Sequence, residues 1–389
     1  MDKAHSGWRR QLRADYQRVA RNENTSLPPM NELDAIRRRP GMYVGDTHDG
    51  SGLRHMVWEA VANALDEHLA GRCTRISVEI GADGSLTVED NGRGMPLHEV
   101  EGVTFAERAL TSFHRTPTMD GHAPHEHLGL KGVGIFVVCA LSRQFELHIY
   151  RDGVHFVQRF QRGVACSKLE NHGTSVQTGT RVTFVPDCEI FTDTWVDPGP
   201  IVTRLRELSF LLPKLSFHFR DLRQHVFHEP NGLLAYVEAA SPKAPLTTFT
   251  ASGEVWKINV EVVARWADHP WSRIESFANV ERTTDGGTHV RGLLLGLAIG
   301  LKQAIPQVCA NKTSKQLQQF ISHGLTAAVR VRLNDPTYDS PTKSRLATPE
   351  ARAAVKACVT AAFRAFIESE SSAATFFAAR MANGEQTQV

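Results

Sequence analysis

No apolar run in this sequence approaches the ~20 residues that a membrane-spanning helix needs, so no membrane is expected among its partners. Closely paired cysteines are missing as well. The six cysteines (Cys73, Cys139, Cys166, Cys188, Cys309, Cys358) lie far apart with no C-x-x-C string, which argues against structural zinc and for a reduced, cytoplasmic chain. The N-terminus lacks an apolar signal core, and Asp2, Asp15 and Glu23 around the Arg-rich stretch 8–13 speak against a transit peptide. An excess of one charge is also lacking. With 44 Lys and Arg against 42 Asp and Glu, the net charge of +2 does not mark a strongly basic nucleic-acid binder, though a local basic surface stays open. The G-x-x-x-x-G-K-[ST] phosphate loop does not occur, nor do internal repeats or low-complexity tracts. What is there is a chain of 389 residues, 41% hydrophobic and 22% charged, the balance of an ordinary globular protein. At roughly 150 residues per domain this suggests two domains, each able to bury a core.

Residues 1–30 are polar and basic and end in Leu27, Pro28 and Pro29, which reads as an arm. Over residues 53–70 one apolar stripe (Met56, Val57, Ala60, Val61, Ala64, Leu65, Leu69) recurs at helical spacing, and Gly71 stops it. Ile76, Val78 and Ile80 then alternate with polar residues, 82–85 turns, and 86–88 returns as a hairpin. Residues 98–128, rich in His, Thr and Pro without periodicity, predict a long lid-like loop. A short helix over 133–141, strands over 145–150, 154–160 and 178–185, and a helix over 201–212 follow. Pro230, Gly232, Pro242 and Pro245 crowd a boundary at 221–245. Beyond it the pattern predicts strands over 246–251, 256–266 and 273–281, and a helix opened by Gly286 and Gly287 that runs to 301. A strand over 325–333 comes next, then a long helix from Pro349 with Val355, Val359, Phe363, Phe366 and Ile367 on one side. Strand, helix, strand in that order suggests a crossover unit.

Three strings carry chemistry. On the first long helix Glu59 and Asn63 are four residues apart and share a face. Asn63 can offer a neutral oxygen to Mg²⁺, an ion usually shared with phosphates. Glu59 can accept a proton from a water attacking a terminal phosphate. Taken alone, the segment also reads as a solvated polar helix face. In Glu89-Asp90-Asn91-Gly92-Arg93-Gly94-Met95-Pro96 a strand ends in an acid followed by two glycines, which let a flat ligand approach the backbone. Asp90 could accept a hydrogen bond from an exocyclic amino group such as that of adenine; a tight turn with a solubilising Asp is the alternative. In Gly129-Leu130-Lys131-Gly132-Val133-Gly134 three glycines enter a helix, whose first N–H groups favour phosphate oxygens, and Lys131 adds positive charge. No clear strand feeds this string, so it is not a Rossmann fingerprint.

In their order, and with Ile36-Arg37-Arg38-Arg39-Pro40-Gly41-Met42-Tyr43-Val44-Gly45 before them and Thr178-Gly179-Thr180 after, these strings resemble a known family. It is the ATPase region of the bacterial type IIA topoisomerases, as carried by DNA gyrase B and its topoisomerase IV counterpart, within the GHKL ATPase superfamily. The R-x-R-P-G-M-Y-[VI]-G string is specific to the topoisomerase branch. Asp285-Gly286-Gly287-Thr288-His289, Asp335-Pro336 and Thr342-Lys343-Ser344-Arg345-Leu346 resemble the family's transducer domain, so the likeness covers about residues 33–370.

The resemblance implies an α+β fold: a GHKL (Bergerat-type) α/β sandwich over 31–225, then a ribosomal-S5-like α/β transducer over 226–389, with 1–30 as an arm and no Toprim domain. It implies Glu59 as general base and Asn63 as Mg²⁺ ligand. Asp90 becomes the acid that binds adenine, with Thr180 supporting it through a water. Gly92 and Gly94 form the adenine-pocket turn, where Asp66, Arg93, Met95 and Pro96 also meet the nucleotide. Gly129, Leu130, Lys131, Gly132, Val133 and Gly134 become the phosphate loop and the hinge of the ATP lid. Lys343 becomes a second catalytic residue, the transducer lysine that reaches the γ-phosphate. ATP and Mg²⁺ are the implied cofactors. The implied partners are a second copy, in a homodimer closed by ATP and embraced by the arms, then DNA and a DNA-cleaving topoisomerase subunit.

The chain departs from the family's pattern at Ala62, where an Asp precedes the Mg²⁺ ligand, and at Leu128 and Lys131, where the phosphate loop has Gly and His. Pro341 replaces a Gln and so removes an amide donor near the γ-phosphate. No Glu-Gly-Asp-Ser string or paired Asp-x-Asp acids occur before the end at Val389, near where a Toprim domain would begin. A fragment or a naturally short paralogue would account for this, the Met1 start favouring the paralogue, and neither would cut DNA alone. Two functions are therefore weighed. One is an ATP-hydrolysing, dimerising clamp that drives DNA strand passage; the other is a standalone nucleotide-gated module, a decoy or regulator of a topoisomerase with little turnover. A chaperone-like clamp is disfavoured by the Arg-Pro-Gly-Met-Tyr string. His122, His125, His127, His225 and His228 read as loop histidines for want of a fourth spaced ligand. Arg37, Arg38 and Arg39 read as a basic face, solvated or open to DNA or an acidic partner.

Overall fold

The computed structural model of the chain describes residues 31–113, 134–241, 245–340 and 342–386. The expectations for the arm, for His122, His125 and His127, for the string 128–133 and for Pro341 lie outside the described residues.

Asn31 starts α1 (Glu32–Arg38) by accepting the Asp34 N–H on its side-chain oxygen at 2.7 Å, and Pro40 ends its register. A short α2 (Gly41–Val44) leads into α3 (Ser51–Leu69), which buries the stripe from Met56 to Leu65. The hairpin of β1 (Arg75–Ile80) and β2 (Leu86–Asp90) turns at Gly84, φ 80°. The lid-like loop read from 98 onward is corrected over its first part. Residues there form β3 (Glu99–Val100), β4 (Val103–Thr104) and α4 (Phe105–Thr111), with Thr104 accepting the Glu107 N–H as a cap. Only Ala106 and Leu110 of α4 are buried, too few to show as a period.

After α5 (Gly134–Ala140) come β5 (Ser142–Arg151) and β6 (Val154–Gln161), joined through Asp152 and Gly153, both at the positive φ that a two-residue hairpin turn needs. Then follow β7 (Val164–Ala165), β8 (Glu170–Thr174), β9 (Gly179–Pro186), α6 (Pro198–Leu211), β10 (Ser216–Arg220) and β11 (Gln224–Phe227). These strands form one sheet in the order β11-β10-β1-β2-β9-β5-β6-β7, with β8 beside β6; β1 and β10 run parallel, and β1–β2, β2–β9 and β9–β5 antiparallel. Helices cover one face, where Val57, Val61, Phe136, Leu205 and Leu208 share a core with Ile76, Val88, Leu147 and Phe184.

The stretch 221–245, read as a boundary, contains regular structure. It holds β11 and α7 (Gly232–Ala240), whose Leu233 and Val237 are buried, so Pro230 and Gly232 stand at the start of a packed helix. Leu233 and Val237 join the first core together with Val263, Phe277, Val280 and Ala328, which makes α7 a bridge to the second half.

There, β12 (Thr247–Val255) and β13 (Ile258–Trp266) form a hairpin on Trp256 and Lys257. The strand read over 273–281 is broken at Asn279, φ 60°, into β14 (Arg273–Ala278) and β15 (Glu281–Arg282). α8 (Thr288–Ala304), α9 (Pro306–Cys309), α10 (Ser314–Ser322), β16 (Leu325–Arg332), α11 (Pro349–Ser369) and α12 (Ser371–Gln386) complete the chain. The second sheet is ordered β12-β13-β16-β14-β15, and β14 runs parallel to β16 with α8 as the expected crossover. β16 is buried at every residue but Arg332, Thr326 and Arg330 included. α8 and α11 pack through glycines: a Cβ on Gly292 would lie 2.6 Å from the Arg352 carbonyl, and one on Gly296 2.9 Å from Val359 Cβ. Among the described residues no helix is long and apolar enough to cross a membrane. All six cysteines are free thiols.

His289, in the first turn of α8, is fully buried with Nε2 3.2 Å from Thr283 Oγ1, and burial lowers its pKa from 6.5 to about 4. The folded chain keeps this imidazole neutral while the unfolded chain protonates it near 6.5. The expected outcome is full stability above pH 6.5, a progressive loss between 6.5 and about 4, and no further loss from this group below. The whole effect is on the order of 3 kcal/mol. Denaturant titrations should show the stability of wild type relative to His289→Gln falling by this amount as pH drops through this window; a difference independent of pH would refute the assignment.

Candidate active site

α3 carries a polar stripe that the expected pair only samples: His55, Glu59, Asn63 and Glu67 recur every fourth residue and so share one face. Glu59 is only 5% exposed, so its carboxylate does not belong to a solvated helix face. Its Oε1 lies 3.1 Å from His55 Nε2, and its backbone carbonyl accepts from Asn63 Nδ2 at 3.0 Å. That bond spends the amide's donor on the helix and leaves Asn63 Oδ1 as the atom suited to a hard cation. Gly134 opens α5 directly against the acid: a Cβ there would stand 1.7 Å from Glu59 Oε2. A glycine read as part of a phosphate string thus also makes room for the carboxylate.

The second acid ends β2. Asp90 is 7% exposed and accepts the Gly92 N–H at 2.7 Å. Burial raises its pKa to about 7, and the charge of Glu67 pushes the same way, while the N–H groups of Gly92 and Thr180 partly offset both. The pairing of Glu89 with Arg181 across β2 and β9 brings Asp90 beside Thr180. Thr180 Oγ1 accepts the Met95 N–H at 3.2 Å, which ties the turn to β9. Glu67 holds the turn from α3, with Oε2 accepting the Arg93 backbone N–H and Oε1 accepting from Arg93 Nη2, each at 3.1 Å. Gly94, at φ 78°, packs where a Cβ would lie 2.8 Å from the Tyr150 carbonyl, and its own carbonyl accepts from Arg151 Nη1 at 2.8 Å. A Cβ on Gly179 would meet the Asp90 carbonyl at 1.9 Å, so two strand ends touch there without side chains. Asp66, Met95 and Pro96 are half-buried beside these groups in the chain.

Known proteins share this arrangement. Residues 48–190 match the family model of histidine kinase-, DNA gyrase B- and HSP90-like ATPases, and residues 232–388 match that of DNA gyrase B. The 43K ATPase domain of Thermus thermophilus gyrase B, solved in complex with an aminocoumarin, is similar at 32% identity with a TM-score of 0.80, over 92% of this chain and 96% of that one. The chain belongs to the DNA gyrase B family. The B-subunit of the DNA gyrase from Myxococcus xanthus is similar at 26% identity and a TM-score of 0.73, over 90% of this chain and 99% of that one. The DNA gyrase B protein of Halalkalibacterium halodurans is 36% identical over 357 residues, 89% of this chain and 56% of that protein. The chain spans about half the length of the curated relatives it matches. The α+β expectation therefore holds, with a GHKL ATPase fold first and the gyrase B transducer region second.

Within this gyrase B frame the candidate residues fall into groups. α3 links Glu59, Asn63 and Gly134 to the turn of Asp90, Gly92, Arg93 and Gly94. Lys343 stands apart: its Nζ donates to Glu281 Oε1 at 3.4 Å, and among the described residues no hydrogen bond or ion pair ties it to either group. Arg37 corrects the basic-face reading, because Nη1 donates to the Ala140 carbonyl and Nη2 to the buried Asp187, each at 2.7 Å. Arg38 and Arg39 are exposed. His225 corrects the loop reading, because it lies in β11 opposite Phe219 of β10, while His228 follows the strand with Nε2 3.1 Å from the Pro213 carbonyl. Sequence reading missed His55 and Glu67, although their spacing of four from Glu59 and Asn63 was there to be used. Arg151 and Gly179 carry no local signal and meet the turn only through the sheet.

Proposed function

We propose that the chain is the ATP-hydrolysing module of a gyrase B-type protein, binding nucleotide over 31–225 and relaying its state through 226–389. In the cytoplasm it would close against a second copy when ATP binds. Together with a DNA-cleaving topoisomerase subunit it would drive DNA strand passage. The observation that carries this reading is the single stripe on α3, which supports the adenine turn through Glu67 at one end and presents Glu59 at the other. Those two acids are eight residues apart, about 12 Å along the helix, a separation that suits a base at one end and a terminal phosphate at the other.

Asp90 accepts the exocyclic N–H of adenine, and the Cβ-free positions at Gly92, Gly94 and Gly179 let the ring lie against backbone. Glu67 and Arg151 fix the turn so that it is preorganised before nucleotide arrives. Glu59 takes the proton of the attacking water as the water's oxygen bonds to the γ-phosphorus and the bond to the ADP oxygen breaks. His55 holds that carboxylate in place. Mg²⁺ fits the donor set, since Asn63 Oδ1 is a hard oxygen oriented by its own amide bond, and the phosphates would share the ion. When bound, the ion would offset the phosphate charge.

The test is calorimetry with ADP and Mg²⁺ alongside steady-state phosphate release from ATP. Binding with turnover is the expected result. Binding without turnover would leave a nucleotide-gated module, and no heat of binding would end the reading.

A further inference from the structure

We propose that Glu281 is the resting partner of Lys343 and acts as a positioning residue, setting how strongly the chain distinguishes a nucleoside triphosphate from a diphosphate. This rests on the reading of Lys343 as the residue that reaches the terminal phosphate.

The backbone of Lys343 is fixed while its side chain has a choice. Lys343 sits at φ 56°, a left-handed conformation uncommon for a residue with a Cβ, and its N–H donates to the Ser340 carbonyl at 3.1 Å. The loop around it is pinned to the start of α8: Leu346 bridges both Tyr338 and Gly287, and the Asp285 N–H donates to the Ser344 carbonyl at 2.8 Å. From this anchored point the ammonium lies 3.4 Å from Glu281 Oε1.

Glu281 has a second cation. Its Oε2 is 3.6 Å from Nη2 of Arg204 on α6, and that same nitrogen donates to the Val280 carbonyl at 2.8 Å. Arg204 also pairs with Glu207, which lies 3.7 Å from Arg282. The carboxylate therefore stands between a cation of the first half and a cation of the second. When Lys343 leaves, Glu281 keeps Arg204 and is not stranded, so both positions of the lysine leave the acid paired.

A terminal phosphate carries more negative charge than one carboxylate and can draw the ammonium away, whereas a diphosphate presents no group at that place. The contact with Glu281 thus opposes triphosphate binding and is silent toward diphosphate. The pair is part-exposed, 37% at the lysine and 21% at the glutamate, so its effect is modest, about two- to fivefold in affinity.

The experiment measures affinities of the full chain for a non-hydrolysable ATP analogue and for ADP, in Glu281→Gln, Lys343→Met and the double variant. Glu281→Gln should tighten the analogue about two- to fivefold and leave ADP unchanged. The gain should vanish in the Lys343→Met background, and Glu281→Asp, which keeps the charge, should restore the wild-type ratio. If Lys343→Met selectively weakens the analogue but Glu281→Gln moves both nucleotides alike or neither, the proposal is overturned and the role of Lys343 stands. If Lys343→Met leaves the ratio untouched, the role of Lys343 falls and the proposal with it. A purely structural Glu281 would shift the melting temperature without changing the ratio.

Discussion

Replacing Glu59 with Ala should lower steady-state phosphate release by about 10²–10⁴-fold, the usual contribution of a positioned base, and leave ADP affinity unchanged. The split follows from geometry. The acid faces Gly134 and His55, whereas the turn proposed to take adenine is held by Asp90 and Glu67, about two helical turns away. Ala also leaves a void between α3 and α5, so Glu59→Gln is the cleaner partner variant: it keeps the shape and removes only the basicity. Both should lose turnover, and Gln should keep the melting temperature near wild type. Turnover at the wild-type rate in Glu59→Gln would remove this residue from the chemistry.

Asp90→Asn should weaken nucleotide binding by about two orders of magnitude, the scale of a buried hydrogen bond to a charged group. The amide also presents an N–H donor toward the donor edge of adenine. Because the folded Asp90 has its pKa raised from 3.8 to about 7, the sign of its linkage is opposite to that of a salt-bridged acid. The folded chain binds the extra proton between these limits, so Asp90 detracts from stability as pH rises through them, by an amount on the order of 4 kcal/mol. The empty Asp90→Asn protein should therefore melt higher than wild type at pH 8. Adenine favours the ionised acid, so wild-type affinity should fall below pH 7 with proton release on binding, and the variant should lose that dependence. Calorimetry in buffers of different ionisation enthalpy measures the released proton, and observed heats that do not change from buffer to buffer would contradict the role of Asp90.

The two acids differ in how they could be read from the chain. Glu59 and Asn63 were legible because helical periodicity converts a spacing of four into a shared face, and the same rule extends to His55 and Glu67. Asp90 was legible because two glycines directly follow a strand that ends in an acid. The lid-like reading of 98–113 gave way to short elements, since α4 buries only two side chains and two points define no period. The helix α7 inside 221–245 was not legible, because glycine and proline bound helices as readily as they mark a boundary.

Local order along the chain thus determined most of the elements, the family and the Glu59 and Asn63 pair, all of which depend on residues near each other in sequence. The tertiary structure alone decided which distant groups complete the site. Gly179 reaches Asp90, Arg151 holds Gly94, and Gly134 clears Glu59, because sheet pairing and helix packing place them there. It also decided that Arg37 turns inward to Asp187 and that Lys343 rests on Glu281. Side-chain partners at long separation depend on register and on burial, and neither can be read from spacing along the chain.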